Sequence, residues 1–247
     1  MQASFRFYAE LNDFLPPERR MIAFDVAFQG KQTVKHLIES LGVPHTEVDL
    51  VLVNGESVAF DEVVRDGDLV SVYPVFEGFD IAPVSRVRPT PLRQTRFVLD
   101  GHLGRLAAYL RMLGFDTLYR NDYNDEQLAR ISAEEHRILL TRDRGLLMRS
   151  AVTHGYCVRE AAPRRQLAEV VHRFDLARCT APFTRCMVCN DLLREVAKDE
   201  VADRMPPISR EHYDEVRECQ GCKRVFWKGS HYRRMLRLLE PMQSPNA

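Results

Sequence analysis

Hydrophobic and polar positions change rhythm three times along this chain. In the first stretch Phe5 and Phe7 alternate with polar neighbours in a short strand, and Met21 to Phe28 (MIAFDVAF) makes a second. Val34, Leu37, Ile38 and Leu41 then fall at i, i+3, i+4 and i+7, the stripe of an amphipathic helix that Gly42 can end. Asp49 to Val53 returns to strand and runs into Asn54-Gly55, a strong hairpin-turn dipeptide. Leu69 to Val75 closes the unit as another strand.

The order strand, strand, helix, strand, strand predicts a β-grasp α+β domain over residues 1–79. Residues 80–95 hold three prolines and three arginines without periodicity, which predicts an extended linker. From 96 the pattern alternates between short apolar runs and helical stripes. Strand 96–100 leads into a helix with Leu103, Leu106, Ala107, Leu110 and Leu113 on one face, stopped by Gly114. Thr117 to Tyr119, residues 137–141 and Tyr156 to Val158 are further strands. Helices open near Asp125-Glu126 and near Gly145, and Leu167, Val170, Val171 and Phe174 stripe the last one. Strands alternating with helices predict a three-layer α/β domain with a mostly parallel sheet over 96–178.

The last section, 179–240, is loop-rich and holds four of the six cysteines in two knuckles, Cys186-Met-Val-Cys189 and Cys219-Gln-Gly-Cys222. Two C-x-x-C pairs in a chain without secretory features predict a tetrahedral thiolate site for structural Zn²⁺ rather than disulfides. The 29 residues between them, 190–218, predict a loop or helical insert. Cys157 and Cys179 are expected to be small buried residues. Beyond the second knuckle, KRVFWKGSHYRR interleaves cations with aromatics, a composition suited to nucleic acid. Here Trp227 is expected to pack the ribbon while Lys228, His231 and Arg233 face outwards.

At 247 residues the chain has room for two or three small domains, and its composition is that of an ordinary globular protein. No apolar stretch reaches membrane-spanning length, and MQASFRFYAELNDF lacks the layout of a signal peptide, so a cytoplasmic location without membrane contact is expected. The zero net charge conceals an asymmetry. Residues 1–80 carry 6 Lys and Arg against 14 Asp and Glu; residues 81–178 carry 17 against 11, and all 17 are arginine. An acidic head on an arginine-rich body fits an anionic polymer as substrate and a protein partner at the head.

Two apolar runs end on aspartates, FVLD at Asp100 and ILLTRD at Asp143. Ligands of open α/β sheets bind at the carboxyl ends of strands. Carboxylates placed there suit a hard divalent cation, Mg²⁺ or Mn²⁺. Other acids nearby have local explanations: Asp125 or Asn124 as helix N-caps, Asn124 with Gln127 in capping-box position, and Asp116 and Asp122 in turns.

FVLDGHLGRLAAYLRMLGFDT, NDEQLARIS and RILLTRDRGLL resemble the PIN-like ribonuclease domain named for the C-terminal region of the Mut-seven exonuclease. RCMVCNDLL with CQGCKRVFWKGSHYRRM resembles the zinc ribbon that ends its prokaryotic members. The head, in its element order and its VNGE-to-DGD stretch, resembles the ubiquitin-like sulfur carriers, a domain also found fused to this nuclease. Their free Gly-Gly tail is replaced here by Pro74-Val75-Phe76-Glu77-Gly78-Phe79, so no carrier chemistry follows. The resemblance implies metal-dependent RNA cleavage by a first acid at Asp100, a helix acid at Asp125 or Glu126 (Asp122 is a third option), and Asp143 behind Thr141. Arg105, Arg111, Arg142 and Arg144 are the candidate substrate contacts near these acids, with a structural ion pair as the alternative for Arg111. The competing expectations are DNA cleavage and a non-catalytic RNA-binding or adaptor protein that docks through its head.

Overall fold

A computed structural model describes residues 1–74, 84–87, 95–230, 232–233 and 237. Most of the expected linker, and His231, lie outside them. The chain divides into two compact units, Met1–Gln94 with Asn124–Cys157, and Thr95–Tyr123 with Val158–Ala247.

The first unit opens with a five-stranded sheet. Its strands are β1 (Gln2–Phe7), β2 (Ala23–Ala27), β4 (Val48–Val53), β5 (Glu56–Ser57) and β7 (Leu69–Pro74), in the order β2-β1-β7-β4-β5. The central pair β1–β7 is parallel, with Phe5 opposite Val70, and its neighbours run antiparallel. Helix α1 (Val34–Ser40) crosses it, begun by Thr33, whose hydroxyl accepts from the His36 N–H at 3.2 Å. A short pair, β3 (Gln32–Thr33) and β6 (Val63–Val64), completes the β-grasp. Asn54 and Gly55 both take positive φ, as the hairpin between β4 and β5 requires. The alternation of Phe5 and Phe7 buries both rings, which stack at 6.3 Å between centres, and Phe7 stacks on Phe24 of β2 at 6.2 Å.

The expected strand 21–28 is shorter at its start. Residues 9–14 form a 3-10 turn in which buried Asn12 donates to the carbonyls of Phe7 and Ala9 and accepts the Met21 N–H at 2.7 Å. Met21 is thereby held at positive φ and cannot join β2.

The same unit contains β10 (Ile138–Thr141) and β11 (Gly155–Cys157), paired in parallel, with α3 (Asp125–Glu134) and α4 (Arg144–Leu147). The second unit contains β8 (Phe97–Leu99) and β9 (Thr117–Tyr119), also paired in parallel, with α2 (Gly104–Met112) and α5 (Pro163–Arg173). Every residue of β8, β10 and β11 is buried, as runs covered on both faces should be. This is the parallel-strand α/β class. Gly114 ends the α2 segment at φ +95, where a Cβ would strike the Ala181 carbonyl, so both conformation and space demand glycine.

The C-terminal section is a three-stranded antiparallel sheet, β12 (Leu193–Glu195), β13 (Val216–Cys219) and β14 (Val225–Trp227). The insert between the knuckles supplies β12, a 3-10 helix (Lys198–Arg204) and α6 (Pro207–His212). Val196, Val201, Met205 and Val216 form its core, with Val225 and Trp227 packed against them.

Candidate functional site

The two cysteine knuckles meet. The Sγ atoms of Cys186, Cys189, Cys219 and Cys222 all lie within 4.8 Å of one another, and they are the one set of three or more metal-competent side chains so gathered among the described residues. The closest cross pairs are Cys189 to Cys219 at 3.3 Å and Cys186 to Cys222 at 3.6 Å. These separations are far beyond a disulfide bond and match neighbouring corners of a metal's coordination shell. Local turns deliver the thiols: Asn190 and Lys223, each just past a knuckle, take positive φ, and the Cys222 N–H points at the Cys219 sulfur at 3.4 Å.

The thiols are electrostatically unequal. Burial pushes Cys186 up to about 12 and raises Cys219. Burial also opposes ionisation of Cys189, but the Asp191 amide and the neighbouring thiols draw it down to about 7. Four soft donors at this spacing fit Zn²⁺, which would bind as the thiols lose protons and would link both knuckles.

The carboxylates are arranged differently. Asp100 is half-buried at the end of β8, at the N-cap of the 3-10 turn Gly101–Leu103. Asp143 follows β10 and caps α4: its Oδ1 accepts from the Gly145 N–H at 2.7 Å, and its own N–H donates to Thr141 Oγ1 at 2.9 Å. Asn124, not Asp125, is the N-cap of α3, in a full capping box with Gln127. Asp125 and Glu126 therefore stand exposed in the first helical turn, with Arg149 3.7 Å from Asp125. Asp122 is held by both arms of Arg120, at 2.9 and 2.7 Å, and these bonds lower its carboxyl pKa. Asp100 and Asp122 belong to one compact unit, and Asp125, Glu126 and Asp143 to the other.

Of the candidate cations, Arg105, Arg142 and Arg144 are exposed. Arg111 is 4% exposed; its Nε donates to the Thr117 carbonyl at 2.9 Å and its Nη1 to the carbonyls of Met187 and Val188 at 3.2 and 2.8 Å. Burial lowers its pKa, the cost of holding a cation beside the first knuckle. Asn190 completes the brace: its side chain accepts from the Thr117 N–H at 2.9 Å and donates to Asp116 at 2.7 Å. The sequence signal for Arg111 was its place four residues after Ala107, on the flank of the apolar stripe. Nothing in the sequence marked Asn190.

The family model described as Mut7-C RNAse domain matches residues 95–239, and the one described as Mut7-C ubiquitin matches residues 1–80. The chain belongs to the Mut7-C RNAse domain family. The ubiquitin-like head is similar to two solved structures. One is SAMP1 from Haloferax volcanii, at 21% identity and TM-score 0.25, covering 32% of this chain and 100% of that one. The other is a putative molybdopterin converting factor, subunit 1, from Pyrococcus furiosus, at 23% identity and TM-score 0.24, covering 30% and 97%. No curated protein matches. The Mut7-C RNAse match suggests a nuclease acting with a divalent metal and RNA as its partner, and the Mut7-C ubiquitin match suggests a protein partner. Among the described residues no helix is long and apolar enough to cross a membrane.

The Mut7-C ribbon also has an aromatic cleft of about 470 Å³, lined by Phe183, Tyr213, Phe226, Trp227 and Tyr232 with Arg185. Arg217 and Lys228 lie over the Phe183 ring at 5.0 and 5.6 Å, and both also face Glu215. Lys228 is thus half-buried in a cation–π and ion-pair cluster, while Trp227 packs inward as expected.

Proposed function

We propose that this protein is a metal-dependent ribonuclease whose acids are Asp100, Asp143 and one of Asp125 and Glu126. The Mut7-C RNAse match carries this reading. Its support in the residues is a carboxylate directly after β8, another two residues past the end of β10 with Thr141 bonded to its amide, and two exposed acids opening α3. These oxygen donors suit Mg²⁺ or Mn²⁺, and the bound ion would supply an acidified water and charge neutralisation at the phosphate. The chain's own part is to hold the acids. Asp143 is fixed by its cap, and Asp125 and Glu126 are set on a helix start secured by Asn124 and Gln127. Arg105 and Arg142 offer exposed guanidinium groups for phosphate. Lys228, over the Phe183 ring of the aromatic cleft where unpaired bases can stack, belongs to the same proposal, as does His231, which lies outside the described residues. The domain limits proposed are 1–79, 80–95, 96–178 and 179–240, with Zn²⁺ in the last.

The test is cleavage of end-labelled single-stranded RNA with Mg²⁺ or Mn²⁺, comparing wild type with Asp100→Asn and Asp143→Asn. Metal-stimulated cleavage lost in both variants supports the assignment. Equal cleavage by all three overturns the site. RNA that is bound and left uncut by wild type would favour an RNA-binding adaptor.

A further inference from the structure

The head contains a polar stretch buried against something unusual. Pro44-His45-Thr46-Glu47 has the composition of an exposed turn, yet His45, Thr46 and Glu47 form a 3-10 turn that is 6%, 1% and 0% exposed. Polar side chains tolerate such burial only where other groups satisfy them. Here His45 and Glu47 find partners in the α/β segment of the same compact unit. His45 Nε2 lies 2.8 Å from the carbonyl oxygen of Val152, and Glu47 Oε1 accepts the Cys157 N–H at 2.5 Å. On its other side His45 Nδ1 lies 2.7 Å from Glu39 Oε1. The ring is thus held between Glu39 and Val152 at both of its nitrogens.

A second point of attachment sits ahead of this one in the α/β segment. Arg144 directly follows Asp143; its Nη1 donates to the Phe14 carbonyl at 3.2 Å, and its guanidinium lies 4.9 Å from the centre of the Phe14 ring. Phe14 is itself fixed by the 3-10 turn that Asn12 ties down. The head therefore grips both ends of the stretch 144–157: α4 at its first residue, and β11 with the turn before it.

We infer that the docking surface of the ubiquitin-like head is taken by residues 144–157 of its own chain, and that the head is a fixed clamp on the segment following Asp143 rather than an exchangeable adaptor. An adaptor keeps its recognition groups in water until a partner arrives. In this head the buried polar turn already has its partner, across more than 100 residues of sequence. The inference stands independently of RNA cleavage, because it concerns only what the head holds.

Hydrogen exchange on the full chain tests it, using His45→Ala, Glu47→Ala and the milder Arg144→Lys. In the first two, amides of 150–157 are expected to exchange about tenfold faster or more, while β1, β7 and β13–β14 keep wild-type rates. Arg144→Lys should raise exchange only over about residues 143–148. Unchanged rates at 144–157 in folded variants would overturn the clamp. So would an equal rise throughout β1, β7 and the segment, the mark of general destabilisation. If either alanine variant does not fold, Arg144→Lys decides alone, and an unchanged rate over 143–148 counts against the inference.

Discussion

The cysteine quartet and the acidic positions proposed to serve a divalent ion differ in how the fold presents them. The four thiols are drawn within 4.8 Å of one another by two local turns, and the first knuckle is held by the buried Arg111 side chain of α2 and by Asn190, whose side chain accepts from the β9 backbone. Such a site is complete in itself, with no position left for a substrate. The candidate acids sit instead at element ends: Asp100 after β8, Asp143 at the cap of α4, and Asp125 and Glu126 in the first turn of α3. On the proposed reading this is a division of labour: the soft ligands would close around a fold-stabilising ion, and the hard ligands would serve the ion used in the reaction.

The largest expected effect belongs to the closed site. Structural zinc contributes about 10 kcal/mol or more to the folding of small metal domains. Cys219→Ser should abolish stoichiometric zinc and strip exchange protection from β12, β13 and β14, read by metal analysis and hydrogen exchange. A well-folded, zinc-free ribbon in wild type would break the contrast outright. Next comes Arg111→Met, which keeps an apolar stem but leaves the carbonyls of Thr117, Met187 and Val188 without a shared donor. The expected cost is roughly 3 kcal/mol in chemical denaturation, with faster zinc loss to a chelator. An unchanged midpoint would mean that the knuckle is organised without its brace.

Arg111 also shows where sequence patterns stop being informative. Periodicity located the β-grasp strands, α2 with its glycine stop, and the cysteine spacing, because each depends on residues close in sequence. The knuckle brace joins residues more than 70 positions apart, and no local pattern encodes it. The buried turn His45–Glu47 hid for a related reason: its polarity signals solvent until Val152 and Cys157 are seen to satisfy it. The strand start at Met21 was misplaced because the side chain of Asn12, nine residues earlier, controls it. Among the acids, capping chemistry and metal chemistry favour the same residue types at the same places. The structure separates them only in part, giving the α3 cap to Asn124 and pairing Asp122 with Arg120.

The acids themselves give the third prediction. Asp143→Asn preserves the shape and capping ability of the side chain, so stability should hold within about 0.5 kcal/mol. RNA cleavage should fall about 100-fold or more, and RNA binding should persist. Asp100→Asn should behave alike. A matching loss of stability would place these residues with the cysteines, as architecture, and would erase the distinction.

The smallest effect separates capping from catalysis at α3. Asn124→Ala removes the capping box and should cost about 1 kcal/mol, while Asn124→Ser should recover most of it. Asp125→Asn and Glu126→Gln each give up a favourable charge at a helix N-terminus, worth about 0.3–1 kcal/mol. On stability, then, the three positions should look nearly equal. On cleavage they should not: the acid of α3 that serves the site should lose activity far beyond its stability change, and the other should track Asn124→Ala. If neither exceeds the cap variant, α3 supplies no ligand, and Asp100 and Asp143 must find their third acid elsewhere.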